Sequence, residues 1–253
     1  MQTNLVKYIL HLADNSLIHG HRLSEWCGHG PVLEVDMAIS NIALDNIGAA
    51  RSLYQYAAEL EGNGNTEDTY PYTRDVREFY NVLLVELPKG DFAETIAQSL
   101  FFDTYQMLFY EALKLSTDKR LAAIAEKSLK EVNYHFRFSS EWTQRLGDGT
   151  EESKHRMQQA ITKYWEYCGE MFDADVVELA MQQEGIAPVI ETLKTTWERL
   201  IASVLSECSL SFPLQVENAW FQKGGKSGIH TEYMGFILAE LQFMQRAYPD
   251  SEW

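Results

Sequence analysis

The sequence predicts an all-α protein, and three observations carry that expectation. Apolar residues recur at three- and four-residue spacing along nearly the whole chain of 253 residues. No run of strict apolar/polar alternation lies between hairpin turns. Four of the periodic segments reach about 24 residues or more and are separated by short polar or glycine-bearing breaks, as in an antiparallel bundle.

The first helix, about residues 3–26, carries Leu5, Ile9, Leu12 and Leu23 on one stripe with Ser16 and His19 interleaved, and stops at "CGHGP". The second starts near Leu33 and carries Ile39, Ile42, Ala43, Ala50, Leu53 and Ala57 up to "EGNGN". Residues 61–75 read as loop. A shorter helical piece, "RDVREFYNVLLVEL", ends at Pro88. Asp91 then has the spacing of an N-cap, with Glu94 completing a capping box, for a third long helix that is apolar almost all round and therefore central. The fourth covers 119–146, with Leu121, Ile124, Val132, Phe138 and Trp142 on its inner stripe. Further helices are expected over 152–171, after "FDAD", after Pro188, and from Thr231 to Pro249, with an irregular connection over 209–228. Together these elements predict a ferritin-like four-helix bundle with additional C-terminal helices, a single domain over residues 1–253.

Composition narrows the function. Thirty-seven acids against 21 bases give a net charge of −16, which opposes general attraction to nucleic acid and to anionic membrane surfaces. The amphipathic N-terminal run lacks a basic flank and a small-residue cleavage site, and no stretch nears the roughly 18 uninterrupted apolar residues of a span, so no membrane association and a cytoplasmic location are expected. The three cysteines, Cys27, Cys168 and Cys208, have no paired spacing and suggest neither a disulfide framework nor a zinc site.

A ferritin-like bundle can hold two irons, which takes about six side chains, a carboxylate from each of two helices and a Glu-x-x-His pair from each of the others. Only Asp45, Asp103, Glu131 and His135 occupy suitable positions, and Gly48 stands three residues after Asp45, where a histidine belongs. Glu131 and His135 are four apart instead of three, with Lys127 four residues before them on the same line. The set is read as a degenerate site, a polar cluster paired inside the bundle. A metal held by Asp103, Glu131 and His135 in a stand-alone oxidase is the alternative.

Two small basic groups suit an anionic ligand. "TRDVREFYN" carries Arg74 and Arg77 beside Phe79, Tyr80 and Asn81, and "GGKSG" places Lys226, with Lys223 just before it, in a glycine-rich turn. The latter resembles the end of a phosphate loop, but Trp220 stands where its first glycine belongs and no strand precedes it, so nucleotide hydrolysis is not expected. "CGHG" is a poor zinc motif and a good helix terminus.

"LADNSLIHGHRLSEWCGHGPVLEVDMAISNIALDNIGAAR", "TRDVREFYNVLLVELPKGDFAETIAQSLFFD", "KEVNYHFRFSSEW" and "GGKSGIHTEYMGFILAELQFMQRAYPDSEW" resemble the PaaC family, the structural subunits of bacterial phenylacetyl-CoA 1,2-epoxidase, over essentially the full length. The resemblance implies a ferritin-like chain without its own metal centre, a PaaA-like catalytic subunit as partner alongside other epoxidase components, and phenylacetyl-CoA as substrate. It places the di-iron centre in that partner and draws electrons from NADPH through a reductase component. It also implies a part in binding the coenzyme A ester through Glu78, Phe79, Tyr80 and Asn81 and through Leu179, Ala180 and Met181. Arg74, Arg77, Lys223 and Lys226 are the expected contacts for the coenzyme A phosphates.

Overall fold

The computed structural model describes residues 2–213, 221–249 and 251. Among them there is no strand, and eleven α-helices account for most of the chain. They group into two compact units, residues 1–88 with 223–253, and residues 89–222.

In the first unit α1 (Gln2–Ser24) and α2 (Leu33–Glu61) form an antiparallel hairpin. Gly20 makes the close approach possible, because a methyl group there would meet the Ala43 carbonyl at 2.9 Å and the Asn46 side chain at 3.1 Å. The single apolar stripe expected on α1 is too modest, since Tyr8 through Asp14 and Ser16 through Gly20 are all buried. α2 ends at Gly62, whose left-handed backbone returns an N–H to the Ala58 carbonyl. Three short helices, α3 (Thr69–Thr73), α4 (Leu83–Glu86) and, after the second unit, α10 (Glu232–Leu241), complete the unit with a final turn, α11 (Phe243–Ala247). α10 packs on α4 and α11 on α3.

The second unit is built on α5 (Phe92–Leu113). Asp91 caps it through the Glu94 N–H and the Glu94 carboxylate returns to the Asp91 N–H, as the spacing predicts. α5 is buried on nearly every side from Ala93 to Tyr110 and is packed by α6 (Lys119–Gly147), α7 (Glu151–Trp165) and α9 (Lys194–Glu207). A short α8 (Val176–Gln183) starts at its Asp175 cap. The expected inner stripe of α6 is shifted. Ile124, Phe138 and Trp142 are only half-buried, while Leu121, Ala125, Ser128, Val132, His135, Ser139 and Thr143 are buried. Small side chains at Ser128, Ser139 and Thr143 bring α6 close to its neighbours, and the hydroxyls of Ser139 and Thr143 satisfy themselves on the carbonyls of His135 and Ser139, at 3.0 and 2.8 Å. Of the connection expected over 209–228, residues 214–220, Trp220 among them, lie outside the described residues.

Candidate functional site

The segment from Arg74 to Glu86 departs most from sequence expectation. It is not one helical piece. Asp75 and Glu78 form a capping box around a 3-10 turn, Val76–Glu78, after which Phe79–Val82 runs extended into α4. An extended, buried backbone must find hydrogen-bond partners, and here they are side chains from distant parts of the first unit. The Tyr80 N–H donates to Asp14 Oδ2 at 2.9 Å and the Val82 N–H to Asn15 Oδ1 at 2.8 Å, both on α1. The Glu78 carbonyl accepts from Arg74 Nη1 at 2.7 Å, the Phe79 carbonyl from His230 Nε2 at 2.9 Å, and the Glu86 carbonyl from Arg22 Nη2 at 2.7 Å.

Asp14, fully buried on α1, is one centre of this network. It takes both arms of the Arg74 guanidinium, Nη1 to Oδ2 at 3.1 Å and Nη2 to Oδ1, together with the Tyr54 hydroxyl at 2.6 Å. The guanidinium lies over the Phe79 ring, 4.2 Å from its centroid. Burial opposes its charge, yet Asp14 and Tyr54 hold its pKa above the ordinary arginine value. Burial, and then the Asp14 charge, push the Tyr54 phenol well above its ordinary range. Arg74 is therefore held inside the unit as a structural ion. Lys226 is likewise buried, at 6 % exposure.

The second centre is Glu86, also fully buried. Its carboxylate accepts from Asn81 Nδ2 at 2.9 Å, from the Thr231 N–H at 2.5 Å, and faces His230 Nδ1 at 2.7 Å. Burial lowers the His230 pKa, but Glu86 and the Phe79 carbonyl outweigh it and raise it above 6.5. The "GGKSG" turn lies directly against the same segment. A methyl on Gly225 would stand 2.0 Å from the Asn81 carbonyl oxygen, and one on Gly228, whose φ is +77°, 2.3 Å from that of Arg77. The two motifs that sequence reading singled out separately are thus one structure.

Its outer side is more open. Arg77, Glu78 and Lys223 are exposed and Tyr80 is half-buried, whereas Phe79 and Asn81 are buried. Tyr80 lines a cleft of about 500 Å³ with Thr3, Val6, Lys7, Leu10, Glu61 and Asn63, and Lys7 Nζ sits 4.6 Å above its ring. The His11 ring lies 5.1 Å from that of Tyr80, and burial, reinforced by Lys226, Lys7 and Arg74, drives its pKa down to about 3, so its ring is neutral at pH 7. Leu179, Ala180 and Met181 lie on α8 in the second unit, Leu179 exposed and Met181 buried.

The metal-type residues are divided between the units. Asp45 is half-buried on α2 of the first. Asp103 on α5 and His135 on α6, both 1 % exposed, belong to the second with the half-buried Glu131. Lys127 is exposed. Among the described residues, no group of three His, Cys, Asp or Glu side chains is placed to hold a metal ion. "CGHG" forms exposed turns, with His29 Nδ1 3.1 Å from the Cys27 carbonyl.

Comparison with known proteins covers nearly the whole of this chain. The family model for phenylacetic acid catabolic proteins matches residues 1–253. The C subunit of 1,2-phenylacetyl-CoA epoxidase from Escherichia coli strain K12 is 47 % identical over 249 residues, 98 % of this chain and 99 % of that one. The chain belongs to the phenylacetic acid catabolic protein family. As a member of that family it has the all-α, ferritin-like fold class expected from its periodicity.

Sequence reading of this family member missed His230 and Glu86. A glutamate amid "NVLLVEL" and a histidine after "GGKSGI" give no local signal, because their partnership spans 144 residues. Asp14 gives no local signal either, since it lies off the apolar stripe of α1. No helix among the described residues is long and apolar enough to cross a membrane.

Proposed function

We propose that the chain is the non-catalytic subunit of a cytoplasmic phenylacetyl-CoA 1,2-epoxidase, paired with a PaaA-like catalytic subunit and the other epoxidase components. The observation that carries this reading is the 47 % identity, over nearly the full length of both chains, to the C subunit of that enzyme. On this reading the di-iron centre belongs to the partner, where it activates dioxygen, and NADPH supplies electrons through a reductase. The ligand set in this chain is consistent with that division, because Gly48 offers no ligating side chain and the Glu131/His135 spacing departs from Glu-x-x-His.

This chain's own work is to bind and orient. Coenzyme A is large and polyanionic, and a chain of net charge −16 needs a local basic rim to receive it. Arg77 and Lys223 are exposed beside the Glu78–Asn81 segment and are our candidates for that rim, while the rigid turn presents Tyr80 and its backbone. Within the second unit, and as a separate candidate, Leu179 is exposed on α8 and offers an apolar contact, with Ala180 and Met181 beside it on that helix. An apolar stripe on α2 supports the partner assignment. Leu33, Met37 and Leu44 share one face by helical spacing and are 71, 57 and 65 % exposed, which a bundle docking against a similar bundle would cover.

Co-expression with a PaaA-like subunit tests the reading. The wild-type chain is expected to be captured and to give an active complex once the reductase is added. Met37→Glu with Leu44→Glu is expected to lose capture while keeping its helical signal. Stoichiometric iron bound by the purified chain, and lost on replacing Glu131 or His135, would overturn the non-catalytic assignment in favour of a stand-alone oxidase.

A further inference from the structure

We infer that His230, through its contacts with Phe79 and Glu86, is a positioning residue that holds the Glu78–Asn81 segment in the conformation that receives the coenzyme A ester. The inference rests on the proposed role of that segment. It adds a residue which no motif indicates and a proton on which binding depends.

The argument starts from donors and acceptors. The Phe79 carbonyl can only accept, so His230 Nε2, 2.9 Å away, carries a hydrogen. His230 Nδ1 is 2.7 Å from Glu86 Oε2, and the same carboxylate already receives the Asn81 amide and the Thr231 N–H. The Glu86 oxygens act as acceptors toward both of those donors, so Nδ1 also donates and the ring is an imidazolium. The His230 and Glu86 side chains are 1 and 0 % exposed, which removes the solvent that would otherwise replace a lost bond. Charged groups near the pair are Asp14 and Arg22 on α1, Arg74 over the Phe79 ring, and Lys226 on the turn that leads to His230.

One side chain therefore ties three points together. It holds the Phe79 carbonyl directly and orients Asn81 through Glu86, while its own backbone follows the turn whose Gly225 abuts the Asn81 carbonyl. Loss of the Nδ1 proton breaks the Glu86 contact and loosens the Asn81 end of the extended stretch, while Nε2 still holds the Phe79 carbonyl. His230 touches neither the reacting atoms nor, by its burial, the ester. Its effect on turnover must pass through the segment.

The test is steady-state kinetics of the reconstituted epoxidase complex with phenylacetyl-CoA. In the wild type, KM is expected to rise about tenfold as pH rises through the titration of His230, the effect of losing one charged hydrogen bond, while kcat changes less than about threefold. His230→Gln keeps one donor nitrogen and carries no charge. It is expected to show the raised KM at all pH values and no step. Tyr80→Ala serves as comparator. If it raises KM and His230→Gln does not, the positioning role is overturned and the binding role of the segment stands. If neither changes KM, the binding role itself fails. Should His230→Gln not assemble, the wild-type profile decides alone: a KM that stays flat from about pH 6 to pH 9 overturns the inference.

Discussion

The two units, of similar size, differ in the contacts that stand out in each. The first has two buried ion pairs, Asp14 with Arg74 and Glu86 with His230, between side chains far apart in sequence. The second also buries charged side chains, Asp103, Glu170 and Glu178 among them, but its most developed cluster is of rings. Trp197 stacks on Trp165 at 5.5 Å, meets Phe172 at 5.3 Å and Phe101 at 5.7 Å, and donates its indole N–H to the Phe101 carbonyl at 2.9 Å. Aromatic packing tolerates pH and salt and asks for no partner charge. Buried ion pairs are costly to desolvate and contribute little net stability, but each fixes one geometry for the segments it joins. Their concentration around residues 74–86 marks the place where this chain needs a defined surface more than it needs stability.

The sharpest way to break the contrast is to remove one ion. Asp14→Ala leaves the Arg74 guanidinium buried without its carboxylate and strips partners from Tyr54 and the Tyr80 N–H, so a loss of about 3–5 kcal/mol is expected in denaturant unfolding. The double variant Asp14→Leu with Arg74→Met is expected to lose less than Asp14→Ala alone, since no orphaned charge remains. A double variant as unstable as the single would mean that the ions stabilise the unit outright. In the second unit, Trp197→Phe keeps part of the ring packing and is expected to lose about 1–3 kcal/mol, through the indole volume it vacates and the loss of the second donor to the Phe101 carbonyl, with no change between low and high salt.

A pH change separates the units without mutation. The folded-state pKa of His230 lies above its unfolded value near 6.5, so its contribution is fully present below that value and is lost as pH rises through the folded pKa. Amide exchange measured at acidic and at alkaline pH, corrected for intrinsic rates, is expected to show protection falling around residues 79–86 and 225–231 and holding steady around Trp197. Equal change in both units would remove the distinction.

The same contrast explains what was legible in the sequence. α2 starting at Leu33, the Asp91/Glu94 box before α5 and the Asp175 cap of α8 are local signals, complete within four residues, and they appear where the spacing placed them. The all-round burial of α5 was legible from its apolar content alone. The segment from Arg74 to Glu86 was not, because its helical pattern is overridden by partners at Asp14, Asn15 and His230 that no window of sequence contains. Phe138 and Trp142 misled in a simpler way: bulky aromatic residues on α6 outrank serine in any hydrophobic stripe, yet the close-packed face takes the serines.

Gly48 tests the boundary between what stabilises the chain and what serves its assembly. It stands inside α2 with no atom within 4 Å of where a methyl group would go, on the face that carries Met37 and Leu44. Gly48→Ala should therefore stabilise the isolated chain by about 0.5–1 kcal/mol, by removing backbone freedom from the unfolded state and adding a better helix former. If that face is bare in the functional complex, capture of the catalytic subunit will be unchanged. If a partner helix crosses at Gly48, the methyl that improves folding will push it away, and thermal stability and capture will move in opposite directions. Opposite signs would locate the crossing point on α2, and a gain in stability with unchanged capture would move the interface away from Gly48.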